Sequence, residues 1–202
     1  MGCGHTEEKN EIQPDQIMVT SNNKNENKNN NNENSENKNN VLTIKSKDKS
    51  KIKTFIKDAL KTHNDLRSKH GVGSLKISED LNQIAQKFAE YLASINKIEH
   101  SNNIYKNEYL GEYIFCCSGN EIQGESMTMS WYDEINKYDF NNIEFVSGTG
   151  HFTQIVWKDT KEVGFGYAIS KNGIYYGVAN YFPSGNINTK EDFSNNVLKN
   201  IK

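Results

Sequence analysis

The chain has 202 residues, 34% of them hydrophobic, and a formal net charge of -2. That near-neutral balance supplies no general attraction to nucleic acid, and no glycine-rich phosphate loop or aromatic–basic motif is present. No apolar run approaches the ~18 residues of a membrane-spanning helix, and "MGCGHTEEKN" at the start lacks the apolar stretch of a secretory signal.

The first six residues, Met1 to Thr6, fit M-G-x-x-x-[ST], the pattern for myristoylation of Gly2 once Met1 is removed. Cys3 beside it is placed for a second, reversible acyl chain. One myristoyl chain anchors marginally, whereas two hold a protein at a membrane. From Ser21 to Asn40 no residue is apolar, and Asn recurs among Lys and Glu. Such a segment cannot bury enough surface to offset its ordering entropy. Glu7 to Lys47 is therefore expected to be disordered and to stay off the domain. The expected organisation is an acylated tail and linker over 1–48 and one domain over 49–202, a length that suits a single core.

The lysine-rich stretch Lys45 to Lys61 has two readings. Lys53, Lys57 and Lys61 repeat at i, i+4, which describes a solvated helix face and is preferred. The same lysines would also add attraction to an anionic leaflet. A helix over Lys49 to Lys69 is predicted from the stripe Ile52, Phe55, Ile56, Ala59, Leu60, His63 and Leu66. It ends at His70-Gly71, a cation near the negative helix end followed by a left-handed cap. A second helix starts at the N-cap Ser78, with Glu79 and Asp80 in its first turn and Leu81, Ile84, Ala85, Phe88, Leu92 and Ile95 on its buried face. "GEYIFCC", Gly111 to Cys117, reads as a strand. A third helix, Ile122 to Tyr138, buries Met127, Trp131, Ile135 and Tyr138.

After Gly148 the period changes to two. Phe152–Lys158, Val163–Ser170 and Ile174–Phe182 read as strands, the last two joined by a tight turn at Asn172-Gly173. Helices on both sides of a small antiparallel sheet make an α+β, three-layer α/β/α sandwich. Cys116 and Cys117, adjacent on a strand, point to opposite faces and are poor partners for each other, so no secreted disulfide framework is written here.

No HExxH, CxxC pair or nucleophile elbow occurs. Of five histidines, His5 lies in the tail, and His63 and His70 suit structural roles on the first helix. His100 and His151 sit at the boundaries of regular elements, as do Glu112 and Glu134, where side chains can converge on a pocket. Two imidazoles and two carboxylates can hold Zn²⁺ with an open position, or form a hydrogen-bonded network without metal.

"GTGHFTQIVWKDTKEVGFG" resembles the signature of the CAP superfamily, the cysteine-rich secretory, antigen 5 and pathogenesis-related proteins, and "YYGVANYFPSGNI" resembles its second signature. "HNDLRSKHGVGSLKISEDLNQIAQKFAEYLAS", "HS", "GE" and "WYDEI" are similar to the positions between. The resemblance covers Lys51 to Lys202 and is strongest to the Golgi-associated pathogenesis-related type, which also begins with an acylated glycine. It implies the CAP sandwich and a cleft tetrad of His100, Glu112, Glu134 and His151 able to bind divalent metal such as Zn²⁺.

The family includes sterol and lipid binders that use an aromatic-rich loop, here Tyr105, Tyr109, Tyr113 and Phe115. The implied function is a non-enzymatic module on the cytosolic face of a Golgi or plasma membrane. Its expected partners are membrane lipids (an anionic phospholipid or a sterol), other proteins, and a second copy as a homodimer. The alternatives are a metal-dependent hydrolase with Glu112 or Glu134 as general base, and a secreted, extracellular defence-type protein. Three departures stand out: Tyr113 replaces the Asn of the family's "GEN", Ala179 replaces a cysteine of the second signature, and the asparagine-rich spacer is extra. As a coil of roughly 45 residues that spacer would span on the order of 35–40 Å.

Overall fold

The computed structural model describes residues 17–21 and 46–201. The acylation motif and the asparagine-rich spacer lie outside the described residues. In chain order the elements are β1 (Ile17–Ser21), α1 (Ser46–Lys69), β2 (Lys76–Ile77), α2 (Glu79–Ile95), β3 (Ile104–Tyr105), β4 (Glu108–Tyr109), β5 (Gly111–Ser118) and α3 (Gly124–Tyr132). A 3-10 helix (Asp133–Lys137) follows, then α4 (Gly150–Val156), β6 (Glu162–Ile169), β7 (Ile174–Phe182) and α5 (Lys190–Asn196). The main sheet runs β1-β5-β7-β6-β2, and β3–β4 is a separate small hairpin.

The three central strands are antiparallel, as the alternating pattern implies, and the two edge strands are parallel additions, so the sheet is mixed. Against the expectation that the tail stays clear of the domain, Ile17–Ser21 pairs with Ile114–Ser118 of β5. "IMVTS" is rich in β-formers and ends where the apolar-free spacer begins. The outer edge of β5 offers it unpaired backbone donors and acceptors.

Alternation along the strands divides the core into two layers. Tyr113, Phe115, Ala179 and Tyr181 join α1, α3 and α4, whereas Ile114, Cys116, Tyr176 and Val178 meet α2. Cys116 and Cys117 are accordingly on opposite faces and unbridged. Burial pushes the Cys116 thiol up to about 11, with the neighbouring Cys117 adding to the rise. Gly164 lets α2 lie close on β6: a Cβ there would sit 2.2 Å from the Leu81 backbone carbon. Where β2 stops, α2 seals the edge of β6. Asn82 Oδ1 accepts from the Phe165 N–H at 2.8 Å, and Gln86 pairs with both backbone groups of Tyr167.

Two elements differ from their predicted form. The expected strand Phe152–Lys158 is the helix α4. Every residue from Gly150 to Val156 is buried, so no polar face marks a period of 3.6, and its aromatic and β-branched residues imitate a strand. The third helix does not continue to Tyr138 but tightens after Tyr132 into the 3-10 turn. Ile135 is half-buried there, while Met127, Trp131 and Tyr138 are buried as expected.

Arg67 is a fully buried cation that the helical stripe did not reveal. Its guanidinium donates to the carbonyls of Gly73 (2.7 Å), Ile155 and Trp157 (2.8 Å each), pinning α1 to the end of α4. Burial holds its pKa down to about 10. His63 and His70 are structural, as their positions implied. His63 donates from Nδ1 to the Ala59 carbonyl and accepts from the Tyr181 hydroxyl at 2.7 Å. His70 joins the Leu198 carbonyl to the Tyr132 hydroxyl.

Candidate functional site

β5 organises the site because consecutive residues leave it on opposite faces. Glu112 lies on the α2 side, in register with Asn180 of β7. It is buried and receives the loop that follows α2. His100 Nδ1–H donates to Glu112 Oε1 at 3.0 Å, and the Ser101 N–H donates to the same oxygen at 2.7 Å. The Ser101 hydroxyl donates to Glu112 Oε2.

Tyr113 turns to the other face and meets the second pair. His151 stands in the first turn of α4. Its Nδ1–H donates to Glu134 Oε1 at 2.8 Å, while Glu134 Oε2 accepts the backbone N–H groups of His151 (2.9 Å) and Phe152 (3.2 Å). Glu134 thus caps the positive end of a buried helix and orients its imidazole with one carboxylate. The imidazole stacks on Trp131 at 5.5 Å and meets the edge-on ring of Tyr113 at 5.2 Å. Asn186, with φ +58°, donates to the Tyr113 hydroxyl at 2.5 Å and to the Gly150 carbonyl at 2.8 Å. It thereby ties the tyrosine to the start of α4.

The four predicted residues form two histidine–carboxylate pairs. Among the described residues no group of three or more His, Cys, Asp or Glu side chains converges on a metal position. The carboxylates are spent on hydrogen bonds. What is unspent is the opposite side of each imidazole: His100 Nε2 and His151 Nε2 are buried and have no partner. Nearby, both amide atoms of Asn180 and the indole nitrogen of Trp131 are also buried without partners. Buried polar atoms rarely stay unsatisfied, so their concentration here marks a place that receives a ligand, an ion or water.

Of the four aromatic residues assigned to a lipid loop, Tyr113 and Phe115 are core side chains, 1% and 5% exposed. Tyr105 is half-buried with its ring edge-on to Phe182, and Tyr109 is 58% exposed. Tyr109 pairs across the β3–β4 hairpin with Ile104, itself 57% exposed. Ser101, Asn180 and Asn186 were not singled out from sequence. Ser101 was legible as the neighbour of His100, but the two asparagines carry no local signal.

Comparison with known proteins places this geometry. The sequence profile of the cysteine-rich secretory protein family, CAP, matches residues 60–181. The chain is 42% identical over 146 residues to human Golgi-associated plant pathogenesis-related protein 1, covering 72% of this chain and 94% of the relative. It is 33% identical over 147 residues to Protein PRY2 of Saccharomyces cerevisiae, covering 71% of this chain and 41% of the relative. In structure it is similar to NaASP2, crystallised with Zn²⁺, at a TM-score of 0.58 and 23% identity, covering 68% of this chain and 83% of that one.

Proposed function

The chain belongs to the cysteine-rich secretory protein (CAP) family, and from that membership we propose that it is a membrane-tethered binding module. Its paired histidines would hold a divalent metal or a polar ligand rather than drive turnover. The observation that carries this reading is the division of labour at the site. Both glutamates use their oxygens to accept hydrogen bonds and fix the Nδ1–H form of each imidazole, while both Nε2 atoms are left unspent. A carboxylate committed in this way orients a ligand histidine and raises its basicity. It has little free acceptor capacity with which to act as a general base.

If Zn²⁺ is taken, the unspent His100 Nε2 and His151 Nε2 would be its protein donors, with other positions open to water or a ligand. Zinc held there would act as a Lewis acid toward a bound oxygen. A structure of the same fold, NaASP2, was solved with Zn²⁺, which supports the assignment. The chain's own contribution is to turn each Nδ1 toward a carboxylate and to bury both rings with Nε2 unspent. Metal affinity therefore falls as pH falls, because protons compete for those nitrogens.

The membrane reading rests on Gly2 and Cys3, and the name of the human relative points to the Golgi. Among the described residues no helix is long and apolar enough to cross a membrane, so attachment would fall to the acyl chains. The exposed pair Ile104 and Tyr109 supplies an amphipathic contact for lipid, sterol included. Fractionation of cells tests the tether. Gly2→Ala is expected to move the protein to the soluble fraction, and Cys3→Ser to weaken retention by less. Retention of both variants at the wild-type level would refute acylation as the anchor.

A further inference from the structure

The exposed lysines of α1 are not equivalent. Lys51 Nζ lies 2.7 Å from Glu121 Oε1, and Lys61 Nζ lies 2.5 Å from Asp65 Oδ2. Lys49, Lys53 and Lys57 stand one turn apart on the stripe that Lys61 continues at i, i+4, are exposed, and form no ion pair among the described residues. The same stripe continues to Asn64, where the loop carrying Leu75 covers it through two hydrogen bonds, Asn64 Nδ2 to the Leu75 carbonyl and Leu75 N–H to Asn64 Oδ1. The first turns of the helix have no such cover.

Beside the stripe runs a groove between α1 and α2. Ile52 and Ile56 form one wall, Gln83 and Lys87 the other, and Phe165 the floor. The α2 wall also carries two carboxylates, each hydrogen-bonded to an amide of its own helix and still charged. Glu79 accepts from Asn82 Nδ2 at 3.1 Å, and Glu90 from Gln86 Nε2 at 3.0 Å. The α1 side itself combines a row of three cations, outside any ion pair among the described residues, with adjacent apolar surface. That is the composition of a helix that lies on an anionic bilayer.

We propose that this face of α1 is a membrane contact that takes anionic phospholipid headgroups on Lys49, Lys53 and Lys57, with Ile52 and Ile56 toward the acyl boundary. It names the lipid class and the docking face for the membrane reading above and rests on that reading. This face is separate from the histidine site, which lies at the start of β5 and of α4. Charge complementarity selects phospholipid over sterol here, since a sterol offers no anion for three cations.

The test uses the full chain made without acylation, so the acyl tether plays no part. Wild type, the triple variant Lys49→Gln/Lys53→Gln/Lys57→Gln and a control triple Lys158→Gln/Lys171→Gln/Lys190→Gln are sedimented with phosphatidylcholine vesicles. The vesicles carry either no phosphatidylserine or about one-third, at about 50 mM and about 300 mM salt. Wild type and control are expected to bind only the serine-containing vesicles at low salt. The α1 triple should bind them about 100-fold more weakly, at about fivefold per lysine. Acetylation of surface amines, read by mass spectrometry, should show Lys49, Lys53 and Lys57 protected by vesicles and Lys171 unprotected.

Equal binding by the two triple variants, or no protection of the α1 lysines, would overturn the proposal. So would failure of wild type to bind anionic vesicles. In that case continued pelleting of the acylated protein would leave the tether standing, which separates the two readings.

Discussion

Replacing Glu134 by Gln removes a charge while keeping the shape of the side chain. Three donors converge on this carboxylate, the His151 and Phe152 backbone N–H groups on Oε2 and His151 Nδ1–H on Oε1. The amide keeps one acceptor oxygen. The two backbone donors at the helix end are fixed, so the oxygen is expected to stay with them and the amide nitrogen to face His151. An amide nitrogen cannot accept, so the imidazole moves its proton to Nε2 and accepts at Nδ1. Changing charge-assisted hydrogen bonds to neutral ones costs on the order of 1 kcal/mol each, or roughly 2–3 kcal/mol in total.

The larger effect falls on the ligand side. A proton on Nε2 blocks the atom proposed to take metal, and zinc affinity should fall by about 100-fold or more. Urea unfolding measures the first effect, and calorimetric zinc titration the second. Long-range proton–nitrogen spectra of His151 report the tautomer directly, without reference to metal. A wild-type spectrum with the proton on Nε2, or a variant that keeps zinc affinity within about threefold, would refute the reasoning.

Two further outcomes test how the core frames this site. His63 is buried, and that burial holds its pKa down to about 3, with the Ala59 carbonyl working the other way and Arg67 adding to the fall. The unfolded chain then binds more protons between about pH 6.5 and 3, so stability is full above that window and is lost as pH falls through it, by on the order of 4 kcal/mol. His63→Gln should flatten the pH dependence of urea midpoints there, leaving a residual slope from His70, whose pKa burial also lowers. An unchanged slope would contradict the assignment. Arg67→Lys should destabilise by about 2–4 kcal/mol, because one ammonium cannot replace a planar fork that serves carbonyls of Gly73, Ile155 and Trp157 at once. A loss below about 0.5 kcal/mol in the same assay would show that α4 is held by other contacts.

The parts of this fold legible in sequence are those whose two faces differ. α2 was readable because Leu81, Ala85 and Leu92 are buried while Gln83, Lys87 and Glu90 are exposed. β6 and β7 were readable from strand propensity and the Asn172-Gly173 turn. α4 was not, because a helix surrounded by protein has no polar face, and its start is marked by Glu134, a cap sixteen residues upstream of Gly150 that no local pattern reveals. The same limit hid the role of Tyr113. Its exposure was expected from the density of aromatics in "NIYKNEYLGEYIF", yet core covers both faces of β5, so only Ile104 and Tyr109 of that stretch are well exposed among its large apolar residues.

Tyr113 is also where this chain departs most clearly from the family pattern, and the structure gives the substitution a consequence. An asparagine at this position would offer His151 a polar neighbour. The phenol instead places an aromatic edge at 5.2 Å from the imidazole, opposite in kind to the stacked indole of Trp131. Its hydroxyl is drawn off to Asn186, which reaches the Gly150 carbonyl as well. With aromatic rings as neighbours and Glu134 fixing Nδ1, the polar outlet of His151 is Nε2. His100 reaches the same state by a different route, through Glu112 and Ser101 on the α2 side of the strand. Two unrelated pieces of local structure thus produce the same result, an imidazole held at Nδ1 with a buried Nε2 left without a partner. That shared arrangement, rather than any one contact, is what the proposed binding role draws on.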